Sequence, residues 1–141
     1  MTVKCTRYGT WRVRADREEE SPVQPLQVNA RSHDGRTVVK LRGELDIANA
    51  EDLRQKLTTA RQELGEQVVL DLADLEFMDS HGLSVIIHCY KAATAAGGGL
   101  TLAAPRPIVR RTLEVTGLTL RMNVTDSLDQ ALAEPAGAGP A

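Results

Sequence analysis

The chain has 141 residues, 42% of them apolar, and its 17 Lys and Arg against 19 Asp and Glu give a formal net charge of −2. That length suits one domain, and no basic stripe offers nucleic acid a footprint. No apolar run reaches the ~20 residues of a membrane span, and the polar start "MTVKCTRYGTWRVRADREEE" lacks the apolar middle of a signal peptide.

Residues 1–25 mix basic groups with the acidic run Asp16, Glu18, Glu19 and Glu20, a composition expected to form a disordered extension. Tyr8 and Trp11 lie within it. Residues 26–133 carry the folding signals, and residues 134–141, "EPAGAGPA", read as a flexible tail. Cys5 and Cys89 have no metal or disulfide spacing and are expected to be reduced thiols of a cytoplasmic protein. With aromatics at 3%, the core must be aliphatic.

"LQVNARS" and "RTVVKLRGEL" alternate apolar and polar residues as half-buried strands do. Asp34-Gly35 between them signals a tight hairpin. "ANAEDLRQKLTTARQELG" places Leu53, Leu57, Ala60 and Leu64 at helical spacing, with Asn49 as the expected N-cap and Gly65 as the stop. "QVVLDL" is a short buried strand. "SHGLSVIIHCYKAATAAGG" is a helix whose inner face is expected to hold Leu83, Ile86, Ile87, Tyr90 and Ala93. "LTLAA" adds a strand, and Pro107 and Gly117 bracket another helix. "LTLRMNV" offers a last short strand, and "DSLDQALA" a closing helix capped by Thr125 or Asp126. A hairpin followed by alternating strands and helices predicts an α/β domain. Its sheet is mixed, of four to five strands, covered by about four helices.

The corner "EFMDSHGLSVI", Glu76 to Ile86, concentrates the chemistry. A serine hydrolase elbow needs small residues on both sides of the nucleophile, and Met78 stands two places before Ser80. His81, the next residue, is poorly directed toward Ser80 Oγ, so no catalytic group is assigned here. His81 and His88 are seven apart on one helix, about 10 Å, too far to share a metal. His33 reads as a solvated turn residue. The three glycines at 97–99 end a helix, whereas a phosphate loop would start one. Ser80 suits an N-cap, and the helix start offers N–H groups to an anion. Gly82 in the first turn suggests a backbone that something approaches closely, since glycine there costs about 1 kcal/mol relative to alanine.

"GELD" at Gly43–Asp46, "VVLDLADLEFMDSHGL" at Val68–Leu83 and "GGGLTLAAPRPIVRRTLEVTGL" at Gly97–Leu118 resemble the STAS-domain anti-sigma factor antagonists of bacteria. The resemblance implies a single STAS-like domain acting as a binding module, not an enzyme. It assigns Ser80 as a phosphoacceptor for a partner that is both anti-sigma factor and serine kinase, and implies a serine phosphatase that reverses the modification. ATP and Mg²⁺ would belong to the kinase, leaving this chain with no cofactor or metal of its own. Asp46, Asp79, Ser80, His81, Gly82 and Leu83 form the expected partner-binding surface, on a monomer or weak dimer. The family commonly has a second serine where this chain has His81. The other reading is a STAS scaffold, or a ligand- or nucleotide-sensing module of a larger signalling assembly.

Five further residues carry alternatives. Ser84 is a second phosphosite or a solvent-facing helix residue, the latter favoured. Asp71 either shapes an acidic surface or bonds to the turn that follows. Arg106, Arg110 and Arg111 steer an acidic partner or form a solvated helix face, again with the latter favoured.

Overall fold

The computed structural model describes residues 26–133. The expected extension, with Cys5, Tyr8 and Trp11, and the expected tail lie outside the described residues.

Strands β1 (Gln27–His33) and β2 (Arg36–Leu45) pair antiparallel, with His33 opposite Arg36. Asp34 and Gly35 are left as a two-residue turn. Their φ angles, 51° and 80°, are the left-handed pair that a type I′ hairpin requires. Helix α1 (Ile47–Leu64), strand β3 (Gln67–Met78), helix α2 (Ser80–Ala95) and strand β4 (Gly99–Ala103) then alternate. Helix α3 (Pro107–Val115), a 3₁₀ turn at Leu118–Leu120, strand β5 (Asn123–Thr125) and helix α4 (Leu128–Ala133) complete the order. The sheet runs β1-β2-β3-β4-β5, and every pairing after the hairpin is parallel.

Because side chains alternate along a strand, adjacent residues feed opposite faces of the sheet. Val39 and Leu70 join the main core with Leu53 and Leu57 of α1, Ile86 of α2 and Leu113 of α3. Their neighbours Val38 and Val69 join a smaller cluster with Ala103 and Ala131, against which Leu128 and Leu132 pack. Arg36 ties this second face together by donating to the Ala131 carbonyl at 2.9 Å.

β3 is twice as long as the strand expected from "QVVLDL". The residues it gives to the main core are Val68, Leu70, Leu72, Leu75 and Met78, so the spacing drifts from two to three. Two register shifts against β2 cause the drift, one between Lys40 and Arg42 and one between Gly43 and Glu44. Each adds a residue to β3 and resets which side chain faces inward. Gly43 sits at the second shift with φ 108°, a conformation that side chains resist.

The inner face of α2 also differs from expectation. Val85, Ile86, Cys89 and Ala93 are buried, whereas Leu83, Ile87 and Tyr90 are half-buried at its margin. The helix packs against α1 as well as the sheet, which turns the line of Val85 and Cys89 inward. At α4, Ser127 serves as the cap in place of Thr125 or Asp126: its Oγ accepts the Gln130 N–H at 3.1 Å. Thr125 is buried, and its hydroxyl donates to the Ser127 carbonyl. Of the expected strand "LTLRMNV", only its end joins the sheet; Leu118 and Met122 are core residues around the 3₁₀ turn.

Candidate functional site at the Ser80 corner

β2 and β3 end side by side, Leu45 opposite Met78, and each gives way at once to a helix. The first residue past each strand is an aspartate. Asp46 keeps an extended backbone and accepts the Ala48 N–H at 3.0 Å, so it caps α1. Asn49 is the third helical residue rather than the expected N-cap. Its Oδ1 accepts the Asp46 N–H at 3.0 Å, and its Nδ2 donates to the Glu44 carbonyl at 2.9 Å. Asp46 and Asn49 thus form a capping box.

Asp79 does for α2 what Asp46 does for α1. Its Oδ1 accepts the N–H groups of His81 at 2.9 Å and Gly82 at 3.1 Å. Ser80 is therefore not the cap; it is the first helical residue, and it is exposed. The two N–H groups expected to receive an anion are already held by the Asp79 carboxylate. A backbone bond from Asp79 N–H to the Leu45 carbonyl, 3.1 Å, fixes one helix start to the other strand's end.

Burial works against the charge on Asp79, but the Gly82 and His81 N–H groups and the His81 side chain outweigh it. Together they hold the carboxyl below the usual carboxylate range. His81 Nδ1 stands 3.5 Å from Asp79 Oδ2, and the imidazole is half exposed.

Of the six residues expected to face a partner, Ser80 and His81 are exposed, while Asp46 and Asp79 are half-buried by their capping roles. Leu83 is half-buried against the core. Gly82 is buried. A Cβ there would stand 2.5 Å from Leu45 Cγ and 2.9 Å from Met78 Cγ. Its missing side chain serves the close packing of α2 on the strand ends, not the approach of a partner.

Ser84 is exposed, and its hydroxyl donates to the Ser80 carbonyl at 3.1 Å. Asp71 is buried and accepts the Ala73 N–H at 3.1 Å, the local turn bond of its two alternatives. Arg110 pairs with Asp126 at 2.9 Å, and Arg106 donates to the Ala73 carbonyl at 2.9 Å; both have partners within the fold. Among the described residues, no group of three or more His, Cys, Asp or Glu could hold a metal ion. No helix among them is long and apolar enough to cross a membrane.

One residue escaped the sequence reading. Ile47, directly after the Asp46 cap, is 67% exposed. It borders a groove of about 440 Å³ between α1 and α2, along with Ala50, Arg54, His81, Ser84 and Val85. Its signal in the sequence was a large apolar residue on the first turn, outside the inward stripe that begins at Ala50.

The STAS domain family model matches residues 27–131, the whole of this sheet and the first four residues of α4. The chain belongs to the STAS domain family. This STAS domain is 37% identical over 110 residues to the anti-sigma F factor antagonist of Paenibacillus polymyxa, covering 77% of this chain and 94% of that one. It superimposes on an anti-sigma factor antagonist from Mycobacterium paratuberculosis with a TM-score of 0.70, at 29% identity over 80% of this chain and 96% of the other. SpoIIAA matches in its unphosphorylated form, with a TM-score of 0.65 over 77% and 93% of the two chains. The phosphorylated form, from Bacillus, gives 0.61 over 77% and 96%; identity is 26% in both.

Proposed function

We propose that this STAS domain is an anti-sigma factor antagonist, a binding module whose switch is phosphorylation of Ser80. The unphosphorylated corner binds an anti-sigma factor with serine kinase activity and frees the sigma factor; the phosphorylated corner does not bind. ATP and Mg²⁺ belong to the kinase, a serine phosphatase resets the switch, and the exchange takes place in the cytoplasm.

The observation that carries this reading is the position of Ser80. It is exposed on the first turn of α2, directly after a carboxylate whose charge is held by the helix start. A phosphate adds about −1.5 to −2 charges at neutral pH. Asp79 has already taken the N–H groups that would otherwise receive the new charge, and Asp46 caps the adjacent helix. The phosphate therefore adds to a negative corner and points to solvent or to the partner. A loss of about 4 kcal/mol at the interface is roughly a thousandfold in affinity, and like charge with desolvation supplies it without refolding. Ile47 and the groove beside it extend the surface with apolar area, as the centre of an interface requires.

The test is phosphorylation of the purified chain by candidate anti-sigma kinases with ATP, read by mass spectrometry. Binding of Ser80→Ala and Ser80→Asp to the same kinase is then compared. Ser80→Ala should bind and Ser80→Asp should not. Equal binding by the two removes the charge switch, and absence of phosphate at Ser80 with every cognate kinase favours a scaffold in a larger assembly.

A further inference from the structure

Among the described residues, the two edges of the sheet are unlike. β5 is three residues long, the short edge that resists pairing with another chain. β1 has seven residues, pairs with β2 in unbroken register and contains neither proline nor lysine. Bulges, prolines and lysines are the usual means by which an edge strand is kept from adding a neighbour. β1 has none of these three, and its one permanently charged side chain is Arg31.

We infer that β1 is a dimerisation edge, and that its occupant is β1 of a second copy of this chain, antiparallel and centred on Ala30. That register pairs all seven residues of the strand with those of the copy. With Ala30 opposite Ala30, the facing pairs are Asn29 with Arg31, Val28 with Ser32, and Gln27 with His33. No like charges meet, and the smallest side chain of the strand lies on the two-fold axis. Centring one residue later sets Arg31 against Arg31, which directly opposed strands penalise.

The flank of the strand also suits a self-complementary contact. Val28 and Ala30 line a groove of about 500 Å³ against α1, edged by Asp52, Lys56 and Glu63. Lys56 already pairs with Asp52 at 3.0 Å, and a two-fold interface presents that largely neutralised rim to its own copy. Because β1 meets its copy antiparallel, the two Ser80 corners lie at opposite ends of the joined sheets. Both remain open, so the dimer is compatible with the switch and independent of it.

The experiment is sedimentation velocity of the full chain from low micromolar up to on the order of 100 µM, the range that populates a dimer with a micromolar Kd. Wild type should dimerise reversibly across that range. Ala30→Lys and Ala30→Glu, at an exposed position, should each weaken dimerisation at least tenfold, because like charges then meet on the axis. Mixing the two variants should restore a dimer, since Lys then faces Glu. Circular dichroism melts that match wild type establish that both variants fold. A wild-type chain that stays monomeric throughout, with its edge covered by residues 1–25 or by nothing, overturns the inference. So does a dimer that Ala30→Lys leaves intact.

Discussion

Gly82 packs so closely on Leu45 that a Cβ there would stand 2.5 Å from Leu45 Cγ. Leu45 is fully buried at the end of β2, and its carbonyl accepts the Asp79 N–H. The same residue thus receives the cap of α2 through its backbone and the first turn of α2 through its side chain. The phosphoacceptor proposed at Ser80 is positioned by this double contact.

Gly82→Ala should therefore destabilise the domain by about 1–3 kcal/mol, the usual penalty for overpacking a closed site. The helix propensity of alanine alone would give about 1 kcal/mol in the opposite direction. Urea denaturation decides between them. Removing the γ and δ carbons with Leu45→Ala should make the loss in the double variant smaller than the sum of the two single losses, because the two positions share one contact.

The cap assignment separates two neighbouring residues. Asp79→Ala should cost about 0.5–2 kcal/mol, as loss of an N-cap does. Ser80→Ala should change stability by less than about 0.5 kcal/mol, since Ser80 is an exposed helical residue. Urea midpoints of the two variants measure this; the reverse order would make Ser80 the cap.

The charge of Asp79 gives the corner an acid limit. Its carboxyl is held below its ordinary value in the folded state. The resulting stability is present above the unfolded value near 3.9 and is lost as pH falls through the lower folded value. Wild type should exceed Asp79→Asn in stability at pH 6, and the gap should close as the pH falls below about 4. Denaturation midpoints between pH 7 and pH 3 follow it. A gap that widens toward acid contradicts the assignment.

Cys89 is buried in α2, and burial pushes its thiol up to about 11. In a Cys5→Ser background, a disulfide reagent at pH 8 should leave Cys89 unmodified in the folded protein and react once urea unfolds it. Arg61 and Glu66 act in opposite directions on the thiol and do not reverse the effect of burial. Rapid modification of the folded chain would show α2 opening away from α1.

The sequence by itself determined what depends on neighbours along the chain. The Asp34-Gly35 turn needs only two residues that accept positive φ, and the strand and helix order follows from alternation against helical spacing. The motifs around Gly43, Asp79 and Gly117 carried the family. What only the tertiary structure decided depends on a second segment. β3 outlasts its alternation because register shifts against β2 add residues to it, and no pattern within β3 records where β2 stops. The caps passed from Asn49 to Asp46 and from Ser80 to Asp79 for a related reason. All four side chains can cap, and the last residue with extended backbone takes the role; the paired ends of β2 and β3 fix that point. Gly82 looked open to a partner because a sequence shows a missing side chain without showing what fills the space. Leu45, 37 residues earlier in the chain, fills it.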